Sequence, residues 1–372
     1  MPPLKVSDAQ VAAFRLTRHH LRDTASTIES ICSDVCGVQA QIASCAELAL
    51  WTRRRRTTRL EIRDALWQKR SLVKTSLMRM TLHLVPATEY ATYISALRDR
   101  RMGVVRRLHA RLRIRPAEVE SMIAKVMAAL SDGPRSQQEL VAIVHRDASR
   151  QMRFLLKYAW SAFRPAIVDG LICYGPPRGG EITYVRVDRW LPPQPAIDPD
   201  EARAAIARRF LRAYGPADVR DLSKWSGLTM PDAKKTWASL EQDLVDVSVD
   251  GTRSWILRDD APALADSRLD ESGVRLLPSF DPLLLAHAQK DHLVEKRYYK
   301  QVYRNQGWLS PVILAGGRIA GTWSPRETAK RTVVDVDLFG RAARQIRKGI
   351  EEDVAALGAF LGTPCTVSWS RP

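Results

Sequence analysis

The chain has 372 residues, 45% of them hydrophobic, and 58 Lys+Arg against 41 Asp+Glu give a formal net charge of +17. That length holds roughly two or three domains' worth of core, and the charge selects polyanionic partners, nucleic acid first among them. No apolar run reaches the ~18 residues of a membrane span, and Met1-Pro2-Pro3-Leu4-Lys5 lacks the apolar stretch of a signal peptide.

Five cysteines without zinc-like spacing fit a reducing, cytoplasmic setting, with no metal and no cofactor expected. Cys32 and Cys36, one helical turn apart, read as small buried side chains rather than a redox pair.

Residues 1–115 form the first expected unit. Ser7 to Arg22, Ala43 to Arg54 and Leu60 to Lys69 show helical periodicity, and Leu72 to Val85 reads as a hairpin. Ile28, Ile31, Cys32 and Val35 make a further apolar-periodic stretch that Gly37 ends. Gln39 and Gln41 follow in Gly37-Val38-Gln39-Ala40-Gln41, within a connection. Residues at i and i+2 share a face in an extended segment but not in a helix, so both amides are expected to point one way and open outward. Two neutral bidentate hydrogen-bonders aimed together suit a base edge or a water held beside a sugar. Solvation alone is the bland alternative. The run Arg53-Arg54-Arg55-Arg56, then Arg98, Arg100, Arg101, Arg106, Arg107, Arg111, Arg113 and Arg115, reads as contacts for a phosphate backbone. His83, between Leu82 and Leu84, is placed either on the DNA or in a bond to backbone.

Residues 116–195 repeat the plan. Pro116 to Leu130 is helical, Ser136 caps Gln137 to Val144 with Glu139 closing a capping box, and Phe154 to Val168 supplies a third helix. Two strand-like runs then flank Pro176-Pro177-Arg178-Gly179-Gly180. Leu191-Pro192-Pro193-Gln194-Pro195 is a linker.

Residues 196–272 carry the plainest copy. A helix over Ala217 to Trp225, the turn Ser226-Gly227-Leu228, and a second helix capped by Thr229 form a helix-turn-helix. The alternation from Leu244 to Val249, then Asp250-Gly251, then Ser254 to Leu257 forms a hairpin. Helix-turn-helix plus hairpin is a winged helix, an element that reads duplex DNA.

Residues 273–372 change character. Val274 to Leu277, Val312 to Ala315, Arg318 to Trp323, Thr332 to Leu338 and Thr366 to Trp369 read as short strands, with a helical insert over Arg341 to Leu361. Close spacing predicts a small β-barrel or sandwich. Asp281 in Phe280-Asp281-Pro282 reads first as a helix cap, with a part in the active site as the alternative. His287, Lys290 and His292 read as a basic patch on the DNA backbone. The fold class expected is α+β: three tandem winged-helix units followed by a small C-terminal β-barrel.

Five motifs in order resemble the winged-helix DNA glycosylases typified by AlkZ. They are Gly37 to Gln41, Met80-Thr81-Leu82-His83-Leu84-Val85, Tyr214-Gly215-Pro216-Ala217, Leu277-Pro278-Ser279-Phe280-Asp281-Pro282, and Asn305-Gln306-Gly307-Trp308 with Gly321-Thr322-Trp323. The resemblance spans almost the whole chain. It implies a C-shaped basic channel, and a catalytic pair, Gln39 and Gln41, that excises alkylated purines. Housekeeping relatives carry an acidic residue where Gln41 stands, so the resemblance is to the self-resistance branch beside genotoxic antibiotic pathways. It further implies a monofunctional enzyme acting as a monomer on double-stranded DNA containing alkylated purines. The DNA-binding residues expected are Arg54, Arg55, Arg56, His83, His287, Lys290 and His292. The rivals are a non-enzymatic winged-helix transcriptional regulator and a protein that only coats DNA.

Overall fold

The computed structural model describes residues 2–22, 27–327 and 331–370. It is a mixed α+β fold of two compact units. One comprises Met1–Ile62, Ala207–Trp225 and Met230–Pro372; the other Arg63–Ile206 and Ser226–Thr229.

In the first unit, strand β1 (Leu4–Val6) runs parallel to Leu244–Val249, which pairs antiparallel with Thr252–Leu257. The hairpin turns where expected, with Asp250 at φ 41° and Gly251 at φ 89°, the left-handed pair that a two-residue turn requires. Helix α1 (Asp8–Arg18) starts from a Ser7 capping box with Gln10. It packs Val11 and Phe14 with Val6, Val247, Ile256 and Leu264. Helix α2 (Ile28–Asp34), strand β2 (Val38–Gln39) and helix α3 (Ala43–Arg53) follow.

The C-terminal strands do not close. Val274–Leu277, Val312–Ala315, Arg318–Glu327, Thr332–Leu338 and Cys365–Trp369 are neighbours in that order in one open five-stranded sheet, where a barrel was expected. The physical reason lies in the last step. The 18-residue helix Arg344–Leu361 carries the chain back so that Cys365–Trp369 adds parallel to Thr332–Leu338 at the edge. A helix crossing between parallel strands covers a sheet face, and here Ile350, Val354 and Leu357 pack on Leu276, Ile313, Val334 and Val336. Trp51 of α3 enters the same core, and Thr52 Oγ1 donates to the Leu276 carbonyl at 3.1 Å.

In the second unit, Leu72–Ser76 and Leu82–Pro86 form an antiparallel hairpin, as do Ile172–Arg178 and Glu181–Arg186. The Ser136–Glu139 capping box opens a helix over Gln137–His145. Phe154 to Val168 is not one helix. It is divided among Arg150–Leu156, Ala159–Ala162 and Arg164–Val168, and Pro165 stands at the start of the third, where a missing N–H costs nothing. The core gathers Met122, Val126, Leu140, Leu155, Phe163, Ile167 and Tyr184.

Candidate active site

The segment Gly37 to Gln41 is held at both ends within the first unit. Upstream, α2 finishes in a left-handed turn: Cys36 lies at φ 59° and Gly37 at φ 91°, and the Gly37 N–H returns to the Cys32 carbonyl at 2.7 Å. Glycine at that position lets the chain reverse without a Cβ penalty. The Tyr214 hydroxyl donates to the Val35 carbonyl at 2.9 Å, and Arg209 Nη1 to Ser33 Oγ at 2.8 Å. Downstream, α3 begins from Ile42, whose side chain makes no capping hydrogen bond, with no acidic residue in its first turn.

The two glutamines are not equally open. Gln41 is exposed, whereas Gln39 is 5% exposed, between Val38 at 0% and Ala40 at 1%. Both amides were expected to face one side and open into a basic channel; the structure buries Gln39 and leaves Gln41 at the surface. Gln39 lies in a short strand inside the unit, where an amide must be hydrogen-bonded to be tolerated.

Behind this segment is a buried polar cluster. Arg53, at the last turn of α3, meets Asp281 in a bidentate pair of 2.7 and 2.8 Å, with both side chains fully buried. Asp281 Oδ1 also accepts from the Leu283 N–H at 3.0 Å, so the capping role expected of it is observed together with the ion pair. Arg53 Nη2 lies 3.4 Å from His19 Nδ1, and the His19 ring meets Tyr214 edge-on at 4.9 Å. Burial, then the adjacent Arg53 charge, holds His19 well below the usual imidazole range. Arg15 donates to the Tyr214, Gly215 and Pro216 carbonyls at 3.1, 3.3 and 2.7 Å. A Cβ at Gly215 would lie 2.5 Å from the Leu211 carbonyl oxygen, so only glycine fits there. Tyr214-Gly215-Pro216 is thus a hub whose carbonyls accept from α1 and whose hydroxyl fixes α2.

Several residues expected on the DNA surface are buried in this fold. His287 is buried, with Nε2 donating to the Tyr214 carbonyl at 3.0 Å. Lys290 is also buried and donates from Nζ to the Leu284 carbonyl at 3.1 Å. Burial, with Arg15 next in weight, pushes the His287 imidazole far down and that of His292 to about 2. Both are neutral. The cleft of about 530 Å³ that they border also carries Asp218, Asp221 and Asp291 beside Arg220 and Arg253, so it is no basic patch. In the second unit, His83 is 2% exposed and donates from Nδ1 to the Thr81 carbonyl at 3.0 Å. Burial, then nearby Arg79, lowers it to about 3. Of the two readings, the backbone bond is the one present.

The arginine run is largely internal too. Arg54 bonds both carboxylate oxygens of Glu61 at 2.8 Å. Arg55 pairs with Asp353 and lies over the Trp51 ring at 4.1 Å. Only Arg56 of the four is exposed. Helical periodicity contained the signal for Arg53: Ala46, Ala49, Leu50 and Arg53 share the buried face of α3. Of the other arginines expected on the phosphate backbone, Arg106, Arg107, Arg111 and Arg113 are exposed on the second unit, at the end of helix Tyr90–Arg111 and just past it.

No helix of the described residues is long and apolar enough to cross a membrane. A family model described as DNA glycosylase AlkZ-like matches residues 32–360. The interstrand DNA cross-link repair glycosylase of Streptomyces sahachiroi is 30% identical over 381 residues, covering 96% of this chain and 98% of that protein. The solved structure of Streptomyces sahachiroi DNA glycosylase AlkZ is similar with a TM-score of 0.83 at 27% identity. It covers 98% of this chain and 100% of that one.

Proposed function

The chain belongs to the AlkZ-like DNA glycosylase family, and from that premise we propose that it hydrolyses the N-glycosidic bond of bulky N7-alkylguanine adducts, with Gln39 and Gln41 as its catalytic pair. The observation that carries this reading is the placement of two amides, one buried and one exposed, in a segment held by α2 and α3. A guanine alkylated at N7 is already cationic and leaves without a general acid. The enzyme then has only to shelter the developing oxocarbenium ion and position a water. A glutamine carbonyl orients that water while its NH₂ grips a phosphate or base oxygen. An amide is a very poor proton acceptor, so uncharged lesions such as uracil are not substrates.

The helix–helix–hairpin segments are read as winged helices that hold double-stranded DNA, with the chain acting as a monomer. Glutamine at the second motif position favours a self-resistance role against a genotoxic natural product, and the curated relative's name supports unhooking of interstrand crosslinks as a further activity.

The test is single-turnover excision from a duplex with one 7-methylguanine, developed with alkali. Gln39→Ala and Gln41→Ala should each lower the rate on the order of 10²–10³-fold and leave duplex affinity nearly unchanged. Gln41→Asp restores the acidic residue type and retains part of the activity. Wild-type rates in both alanine variants would refute the assignment.

A further inference from the structure

Among the described residues of the first unit, one large aromatic ring is exposed, Trp308, 52% accessible. It follows a three-residue turn in which Gln306 and Gly307 lie at φ 58° and 78°. The Arg304 N–H closes that turn on the Trp308 carbonyl at 2.8 Å. The indole packs against Phe280 with ring centroids 5.6 Å apart. Phe280 itself lies at φ 61°. A bulky residue in the left-handed region is an outlier that the surroundings must hold in place, and such outliers cluster at functional sites.

The residues on either side of Phe280 are held by α3, the helix that follows the glutamine segment. The Cys45 thiol, in the first turn of α3, takes a hydrogen bond from the Ser279 backbone. Asp281 is locked to Arg53 at the other end of the same helix. Helix α3 therefore brackets Ser279-Phe280-Asp281, and it begins two residues after Gln41. An indole face carries negative quadrupole density and attracts a flat cation more than a neutral ring of the same size.

We propose that the Phe280–Trp308 pair is a stacking platform for the cationic alkylated base, and that Trp308 determines specificity for charged over uncharged lesions. This rests on the functional reading above and deepens it. The platform touches the base rather than the water, so its loss weakens recognition of the lesion while the glutamine chemistry stays in place.

Trp308→Leu keeps apolar bulk and removes the π face; Trp308→Phe keeps a π face. Trp308→Leu should lower single-turnover excision of 7-methylguanine about tenfold, with affinity for undamaged duplex unchanged, and Trp308→Phe should recover most of the rate. Tryptophan emission of the wild type should be quenched more by the 7-methylguanine duplex than by the undamaged one, and that difference should vanish in Trp308→Phe. Wild-type excision by Trp308→Leu, or equal loss of affinity for damaged and undamaged DNA, would overturn the platform. A wild type that excises no 7-methylguanine would overturn the functional reading instead, and the quenching comparison on the same duplex would still decide the platform.

Discussion

Asp281→Ala tests the architecture behind the glutamine segment most sharply. It removes the carboxylate that neutralises Arg53, leaving a guanidinium whose side chain is 0% exposed without its two charge-assisted hydrogen bonds of 2.7 and 2.8 Å. The Ala49 carbonyl at 3.0 Å is the remaining oxygen partner. Breaking a buried pair from one side costs about 3–5 kcal/mol, because the surviving charge stays desolvated. A domain's whole stability is about 5–15 kcal/mol, so the loss is a large fraction of it. At about 2–4 °C per kcal/mol for a domain of roughly 150–250 residues, melting should fall by ~6–20 °C. The Leu283 N–H also loses its acceptor, which adds to the effect.

Arg53→Met with Asp281→Leu removes both charges together. By the same reasoning it should melt far closer to the wild type than either single variant. Urea unfolding with coincident fluorescence and circular dichroism provides the assay. If Asp281→Ala loses less than about 1 kcal/mol, which is the range of an exposed pair, the buried-pair reasoning is refuted. If the double variant is as unstable as the singles, volume rather than charge is what that site demands.

Two more predictions follow from the electrostatics. His83 is lowered to about 3 in the fold against about 6.5 unfolded, so its contribution is complete above pH 6.5. Below that the unfolded chain takes up a proton that the native state refuses, and stability falls by up to about 1.4 kcal/mol per pH unit until about pH 3. His83→Asn, which keeps a donor near the Thr81 carbonyl, should flatten the urea midpoint between pH 6 and pH 4; an unchanged slope would show that His83 does not titrate there. For DNA, Arg107→Ala with Arg111→Ala should weaken binding to undamaged duplex and lower the log K against log salt slope by up to about 0.9 per lost phosphate contact. Arg54→Ala and Arg55→Ala should leave that slope unchanged, since Glu61 and Asp353 already hold those guanidinium groups; a fall in slope for these two would reverse the assignment.

What the sequence by itself determined was local. The Ser136–Glu139 capping box, the Asp250-Gly251 turn, the strands Val274–Leu277, Val312–Ala315 and Thr332–Leu338, and the helix that carries Arg53 all stand where the residues predicted them. Caps, turns and periodicities are written within a few neighbouring positions. The family is likewise legible, because its motifs are short and keep their order. Only the tertiary structure decided which charges meet solvent. Arg53, Arg54 and Arg55 are consecutive and look alike in sequence, yet Arg54 meets the nearby Glu61 while Arg53 and Arg55 pair with Asp281 and Asp353, and no local pattern encodes a contact across two or three hundred residues. The same holds for His287 and Lys290, whose polar spacing suggests a surface and whose hydrogen bonds to the Tyr214 and Leu284 carbonyls lie inside. Strand content was readable and sheet closure was not, since an edge is closed or left open by where the last helix returns the chain. Burial is a property of packing, and a charged residue goes inside only where packing brings it a counter-charge or an acceptor.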